Sequence, residues 1–390
     1  MTPAESALLL NMIPEIGPVR FKNLLNHFED LSRVFVASLA ELKSVEGISE
    51  LLARTILYYG NNPSLLKKEI KLAESQGISF LTLDHSHYPP LLKTIADPPP
   101  VLYFRGNLEF FKELAIALVG TRRPTPYGER VAGILSRDLS EIKINTVSGL
   151  ARGIDTIIHR TTLQEKGKTI AVLGSGLMKI YPPENKRLAD SISENGLLLS
   201  EFPLQFPPEQ GHFPRRNRII AGLSLGTVVI EADEYSGALI TARLAAEQGK
   251  DVFAVPGPVT SKMSRGPHRL IRNGAKLVER CQDILEEIAP LKERMFTRSG
   301  IIAIGQKSSD GAIRSSFTPQ EEHLLDLIQI EPLPIDLLFS QSRLTPGQFS
   351  QSLLNLEMKG AELHTGVQNG CSYPVQILFS VNPANGRTSF

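Results

Sequence analysis

Three arginines and an asparagine occupy the four positions from Arg215 to Arg218, directly after Phe213 and Pro214. Proline is well tolerated in the first turn of a helix, and the apolar run that follows predicts a helix beginning there. Cations in a first turn oppose the helix dipole, so the cluster predicts a bound anion, most naturally phosphate. The alternative is that these arginines are solvated or pair with carboxylates from elsewhere in the chain.

Four further segments combine small residues with hydroxyls or cations, and each follows an apolar run. They are Gly120-Thr121-Arg122, Ser148-Gly149-Leu150-Ala151-Arg152, Gly174-Ser175-Gly176 and Ser236-Gly237. Glycine has no Cβ, so the amides of such strand-to-helix turns can approach an anion closely. Gly174 to Gly176 does not complete the spaced dinucleotide fingerprint, and we predict no cofactor. Four such turns on one edge of a sheet predict an extended site for a polyanion.

The elements that must position these turns are short apolar strands alternating with helices. The predicted strands are Ala115–Val119, Asn145–Ser148, Thr169–Leu173, Leu197–Ser200, Thr227–Glu231 and Asp251–Val255. Continuous apolar strands of this kind are typical of a mostly parallel, doubly wound α/β sheet that helices cover on both faces. Ligands of such sheets bind at the carboxyl ends of the strands, which is where the four turns fall.

The segments on either side of the sheet predict three further regions. Residues 1–75 contain short amphipathic helices with glycine hairpins, a pattern of helix-hairpin-helix or SAM-like modules that bind DNA phosphate, pack as plain helices or contact protein. The sheet domain is predicted over 76–290 and a polar linker over 291–316. Residues 317–380 predict a winged-helix-like domain, in which Thr345–Met358 carries no Lys or Arg, so protein contact is favoured over DNA readout there.

Composition excludes several classes of protein. The formal net charge is +1, so a nucleic-acid surface must be a local patch. Two distant cysteines, Cys281 and Cys371, favour neither a disulfide framework nor a zinc site, and His85 and His87 lack companions with ligand spacing, so no metal is predicted. We see no export signal and no apolar run of membrane-spanning length, and we therefore expect a cytoplasmic protein with no membrane association.

Two features contain residue types that often serve in catalysis. Asp155 and His159 lie four apart on a predicted helix and therefore share a face, but a structural hydrogen bond is favoured over proton transfer. Glu231 ends a predicted strand beside the anion turns. It is either a catalytic acid or a carboxylate that orients a neighbouring arginine or amide, and we favour orientation.

Several blocks in one order resemble the DNA-processing protein A family (DprA, also called Smf). They include Ala117-Leu118-Val119-Gly120-Thr121-Arg122, Val147 through Asp155, Phe213 through Ile220, Ser236 through Ala242, Val255-Pro256-Gly257 and Ser264-Arg265-Gly266. The resemblance implies an extended Rossmann-like domain that binds single-stranded DNA. It also implies a homodimer that protects incoming DNA and loads the RecA recombinase during natural transformation, without catalysis.

The resemblance also carries a set of site residues onto this chain. They are Arg122, Ser148, Gly149, Arg152, Phe213, Arg215, Asn217 and Arg218, with Lys179 and Lys186 as further candidates. Arginines and backbone amides would hold successive phosphates, while Phe213 would stack on a base. Gly120, Thr121, Ser236 and Gly237 complete the predicted DNA-binding set as parts of the glycine turns.

Two other functions remain open from the residues. The first is a nucleoside-monophosphate N-glycosidase on the same fold, with Glu231 as acid and Ser236-Gly237 as phosphate turn. Such enzymes carry a Pro-Gly-Gly-x-Gly-Thr block, whereas this chain has Ala221-Gly222-Leu223-Ser224-Leu225-Gly226-Thr227. The second is an adaptor whose helical ends bind proteins and whose anion site is vestigial.

Overall fold

The computed structural model describes residues 1–291, 318, 320, 324 and 335–358. The described residues up to Leu291 belong to one compact unit, and the helices beyond residue 334 belong to another. Apart from Leu291, the predicted linker 291–316 lies outside the described residues, as does much of the predicted 317–380 domain.

Six helices come first. They are α1 (Pro3–Asn11), α2 (Pro18–Phe28), α3 (Leu31–Val34), α4 (Leu39–Ser44), α5 (Glu50–Gly60) and α6 (Pro63–Ser75). A capping box of Thr2 and Glu5 begins α1, because each side chain accepts the other residue's otherwise unpaired amide. Helix α1 is buried along most of its length, and its leucines join a core with one face of the sheet. The helical region is therefore a cover of the sheet.

A nine-stranded mixed sheet follows. Its strands are β1 (Ser79–Thr82), β2 (Val101–Gly106), β3 (Ala115–Val119), β4 (Asn145–Ser148), β5 (Thr169–Val172), β6 (Leu197–Ser200), β7 (Gly226–Val229), β8 (Asp251–Ala254) and β9 (Lys276–Leu277). The order is β1-β2-β6-β5-β4-β3-β7-β8-β9, and only the pairs β1–β2 and β2–β6 are antiparallel. The prediction of a mostly parallel, doubly wound sheet is confirmed, and all six predicted strands are present.

The chain reverses its direction of travel across the sheet between β3 and β7. From β3 it proceeds through β4 and β5 to β6, and it then returns to place β7 on the other side of β3. The connections after β3 and β7 diverge from each other at this point, which leaves a crevice outside the carboxyl ends of the strands. The fold thus places the residues that follow these two strands on opposite walls of one crevice.

Eight helices accompany the strands in this unit. They are α7 (Pro90–Lys93), α8 (Pro126–Glu141), α9 (Ile154–Gln164), α10 (Lys186–Asn195), α11 (His212–Gly222), α12 (Gly237–Glu247), α13 (Arg265–Arg272) and α14 (Cys281–Glu287). Successive residues of one strand enter different cores: Ala171 packs with the N-terminal helices, while Ile170 and Val172 pack in the core that contains α11 and α12. This alternation is what a sheet covered on both faces requires.

Two helices are described near the C-terminus, α15 (Ile335–Ser342) and α16 (Pro346–Met358). Phe339 and Phe349 pack edge to face between them, with ring centroids 5.0 Å apart. None of the helices in the described ranges is long and apolar enough to cross a membrane. The same ranges contain no cluster of three or more His, Cys, Asp or Glu side chains arranged to hold a metal ion.

Candidate functional site

Two neighbouring aromatic rings, flanked on either side by an arginine, lie in a row at the carboxyl edge of the sheet. The Arg122 guanidinium lies 5.3 Å from the centroid of the Phe213 ring, and that ring lies 5.6 Å from Tyr181. The Arg152 guanidinium lies 5.7 Å from the centroid of the Tyr181 ring. We call these four side chains the ladder. Both arginines are exposed and both rings are half-buried, so the ladder presents two charges and parts of two aromatic rings to solvent.

The ladder opens onto a cleft of about 750 Å³ at the point where the strand order reverses. One wall is Gly120 to Arg123, which follows β3, and the opposite wall includes Ser236 and Gly237, which begin α12. Arg122 and Phe213 line the cleft, whereas Arg152 lines a smaller adjoining pocket beside Tyr181. The cleft therefore occupies the position at which doubly wound sheets bind their ligands.

Arg216 forms the floor between the ladder and the sheet. Its Nη1 donates to the carbonyl oxygen of Gly149 at 2.5 Å and to that of Val172, and its Nε donates to Asn217. Burial lowers the pKa of Arg216 to about 10, which still leaves the guanidinium charged at neutral pH. A Cβ on residue 149 would collide with this guanidinium, so Gly149 is required by an internal contact.

Asp155 supplies the negative charge that accompanies Arg216. Its Oδ2 accepts the amides of Gly149 and Ala151 at 3.1 and 3.3 Å, so this carboxylate already fills part of the turn after β4. Burial raises the pKa of Asp155, while the charge of Arg216 and the two amides oppose that shift. These bonds agree with the structural role favoured for Asp155. His159 instead bonds to Thr169 through Nδ1 at 2.7 Å.

A second charged cluster lies on another side of α11, around the buried Glu201. Its carboxylate accepts both terminal nitrogens of Arg218, at 3.0 and 2.8 Å, and Nη2 of Arg215 at 3.0 Å. Arg218 also donates from Nε to Asp97 at 2.9 Å. Only 1% of the Glu201 side chain and 5% of the Arg218 side chain are exposed. We call these four residues the Glu201 cluster.

Glu231 holds the start of helix α8. Its two carboxylate oxygens accept the Thr125 hydroxyl at 2.6 Å and the Thr125 amide at 2.9 Å, and the residue is 3% exposed. Thr125 in turn caps α8 by accepting the Gly128 amide. Because both oxygens are bonded and buried, this geometry matches the predicted orienting role and does not present a carboxylic acid to the cleft.

Comparison with known proteins places the sheet within one family. Residues 79–289 match the model of the DNA recombination-mediator protein A family, and residues 310–363 match the DprA winged helix domain. The chain belongs to the DprA family. The C-terminal assignment agrees with the predicted winged-helix-like domain, although most of that domain lies outside the described residues.

One relative in this family aligns with nearly the whole chain. Protein Smf from Synechocystis is 35% identical over 388 residues, which cover 92% of this chain and 97% of that protein. The DNA processing protein DprA of Streptococcus pneumoniae is 47% identical over 209 residues, covering 54% of this chain and 73% of that protein. The X-ray structure of DprA from Streptococcus pneumoniae gives a TM-score of 0.64 at 37% identity, covering 72% of this chain and 96% of that one.

The structure brings several of the predicted site residues of this DprA member together. Gly120, Thr121, Arg122, Arg152, Gly149, Phe213, Asn217, Ser236 and Gly237 all line the cleft or the adjoining pocket. The side-chain amide of Asn217 donates to the carbonyl of Gly237 at 3.3 Å. Lys179 and Lys186 are exposed near the turn that carries Tyr181, outside the lining of the cleft and pocket. Their role in DNA binding stays a prediction.

Two of the predicted phosphate contacts, Arg218 and Ser148, are buried, and a third, Arg215, is partly exposed and bonded to a carboxylate. Arg218 is buried with its guanidinium bonded to Glu201 and Asp97, and Arg215 donates to the same Glu201. These two arginines therefore pair with carboxylates from elsewhere in the chain, which was the alternative to phosphate binding. Ser148 is also buried, and its hydroxyl donates to the carbonyl of Leu118 at 2.7 Å. The compensating anion at the start of α11 is therefore a carboxylate of the chain itself.

Two residues of the site were missed by reasoning from sequence. Tyr181 belongs to the ladder, and Arg216 forms its floor, but neither was carried into the predicted set. The segment Tyr181-Pro182-Pro183 does follow a glycine turn, so an aromatic at that place was a usable signal. No sequence pattern separates Arg216 from its neighbours, because the direction in which each arginine points depends on the packing of α11.

Proposed function

We propose that this chain binds single-stranded DNA along the cleft, with the ladder as its principal contact. The observation that carries the proposal is the row in which Arg122 and Arg152 flank the adjacent rings of Phe213 and Tyr181. Half-buried rings still offer surface on which unpaired bases stack, and each stacked base contributes about 1–3 kcal/mol regardless of its identity. Guanidinium groups beside the rings supply charge for the phosphates that connect those bases.

A single strand suits this arrangement better than a duplex. In a duplex the faces of the bases are already covered by their neighbours, so Phe213 and Tyr181 would have only base edges or phosphates to contact. The cleft also lies at strand-to-helix turns, and none of the helices that line it presents a row of exposed cations for insertion into a major groove. We therefore expect binding that is selective for strand number and tolerant of base sequence.

A salt titration tests the proposal. Arg122, Arg152, Lys179 and Lys186 are exposed cations on or beside the ladder. If these four neutralise four phosphates, log K should fall against log salt with a slope of about −3 for a single strand. A complex insensitive to salt, or equal affinity for duplex DNA, would contradict the proposal.

The family resemblance supports three further parts of the proposed function. We expect the chain to act in the cytoplasm as a homodimer, to protect incoming single strands, and to load the RecA recombinase onto them. A strand-exchange assay started by RecA on DNA coated with single-strand-binding protein tests the loading step. Addition of this protein should shorten the lag, whereas an unchanged lag would remove loading from the proposal.

We propose that the chain acts without catalysis. The N-glycosidase alternative needs a carboxylic acid aimed at substrate, and the oxygens of Glu231 are instead bonded to Thr125. Incubation with AMP should release no free base. Turnover that disappears in Glu231→Gln would favour the enzyme, although the control must show that α8 remains folded in that variant.

A further inference from the structure

Arg152 differs from Arg122 in having a carboxylate partner. Oε1 of Glu184 lies 2.5 Å from Nε of Arg152, and Oε2 lies 3.2 Å from Nη2. Among the described residues, Arg122 has no such ion pair. The two oxygens of Glu184 occupy the fork of Arg152 in the bidentate manner that two oxygens of a phosphate would adopt.

The backbone holds Glu184 in this place. Glu184 lies in a 3-10 turn, Pro183–Asn185, directly before helix α10. The buried side chain of Asn185 donates to the carbonyl of Leu150 at 3.0 Å and to the hydroxyl of Thr156 at 2.8 Å. These bonds tie the turn that carries Glu184 to the turn that carries Arg152. The carboxylate is therefore presented to the guanidinium by two connected pieces of backbone.

The pair is nevertheless open to competition. About half of each side chain is exposed: 49% for Arg152 and 54% for Glu184. The hydrogen bond from Arg152 lowers the pKa of Glu184 below its ordinary value, so the carboxylate is ionised at neutral pH. Exposed ion pairs are weak because solvent screens them, so an incoming phosphate can displace this one.

We propose that Glu184 is an intramolecular competitor for DNA phosphate at Arg152, so that strand binding requires the carboxylate to release the guanidinium. The inference rests on the proposed function, because it assigns Arg152 to a phosphate of the bound strand. Glu184 thereby lowers the affinity of the ladder for DNA, because Arg152 binds phosphate only after Glu184 has been displaced. In the part of the chain that the structure describes, Arg122 has no such competitor and is free to bind phosphate directly.

A positioning role for Glu184 predicts the opposite effect. If the carboxylate served to hold Arg152 over the Tyr181 ring for phosphate, its removal would weaken DNA binding. If it merely repelled DNA by its charge, the gain on its removal would persist in a chain whose Arg152 is glutamine. Glu194, near the far end of α10, is exposed and has no ion pair within the described part of the chain, so Glu194→Gln controls for the change in net charge without freeing an arginine.

The experiment compares an oligothymidine single strand bound to the full chain and to Glu184→Gln, Glu194→Gln, Arg152→Gln and the Arg152→Gln/Glu184→Gln double variant. We expect Glu184→Gln to tighten binding by about two- to fivefold, the range set by an exposed ion pair. The slope of log K against log salt should be slightly steeper than in the wild type, because salt weakens a competing ion pair that only the wild type contains. Glu194→Gln should bind as the wild type does.

The double variant isolates the competition. Glu184→Gln should give no gain when Arg152 is already glutamine, since there is no guanidinium to release. Three results would each overturn the inference. They are binding by Glu184→Gln that is no tighter than that of the wild type, a gain equal to that of Glu194→Gln, and a gain that persists when Arg152 is already glutamine. Wild-type protein that fails to bind the strand would instead overturn the proposed function, so the two failures are distinct.

Discussion

The ladder and the Glu201 cluster both use arginines beside the same helix, yet they treat those charges in opposite ways. In the ladder, Arg122 and Arg152 are exposed and lie over aromatic rings. In the Glu201 cluster, Arg218 is buried and bonded to Glu201, which directly follows β6, and to Asp97, from the segment before β2. Arg152 also has a carboxylate partner, Glu184, but that pair is about half exposed. The comparison teaches that the fold decides the role of an arginine by burying it with a carboxylate or by leaving it open to solvent.

The largest expected effect is on folding, from the Glu201 cluster. Glu201→Ala leaves the Arg218 guanidinium buried without its main partner, and removal of one member of a buried ion pair costs about 3–5 kcal/mol. Urea unfolding should show that loss in the free energy of unfolding. Asp190 pairs with Arg105 at the exposed surface, so Asp190→Ala is the control and should cost less than about 1 kcal/mol. Equal costs would erase the distinction between buried and exposed pairs.

The ladder should show the reverse pattern, with a loss of affinity and an intact fold. Phe213→Leu keeps an apolar side chain beside Gly174 but removes the aromatic face. We expect single-strand affinity to fall by about 1–3 kcal/mol, the usual contribution of a stacked base. Fluorescence anisotropy with a labelled strand measures the change, and Phe213→Tyr should retain most of the affinity. Undiminished binding by the leucine variant would remove the ring from the site.

A third effect develops only as the pH is lowered, and it concerns His159, whose pKa responds to its burial and to the charge of Arg216. Burial, together with the charge of Arg216, lowers the pKa of His159 to about 3. Since an unfolded histidine titrates near about 6.5, the unfolded chain binds more protons between these values, and stability is lost as the pH falls through that window. His159→Asn should lose less stability than the wild type between pH 7 and pH 4, measured by urea unfolding. Identical pH profiles would contradict the assignment.

The sheet was predictable because its signal is local. Most strands from Ala115–Val119 to Asp251–Ala254 are short runs rich in apolar residues, although Asn145–Ser148 is largely polar, and such runs are typical of a buried, mostly parallel sheet. The glycine turns at the carboxyl edge followed from the same pattern. The sequence explains only in part why glycine is needed in these turns. In the structure, Gly149 leaves room for the Arg216 guanidinium and Gly174 leaves room for the Phe213 ring.

The pairing of the arginines was not predictable because it is nonlocal. Asp97 lies 121 positions before Arg218, and Glu201, which directly follows β6, lies 17 positions before it, so no short-range pattern connects either carboxylate to the arginine. Four consecutive polar residues on one helix point in different directions, so neighbours in sequence belong to different sites. That geometry turned Arg218 towards Glu201 and placed Arg216 beneath the ladder, against the carbonyl of Gly149.

The most direct test of this account compares salt dependence in two single variants, Arg122→Gln and Arg215→Gln. Arg215 is partly exposed and Arg218 still pairs with Glu201 without it, so both variants should fold. The account predicts that the slope of log K against log salt for a single strand decreases in magnitude by about 0.7 in Arg122→Gln and stays unchanged in Arg215→Gln. A decrease in Arg215→Gln with none in Arg122→Gln would contradict it.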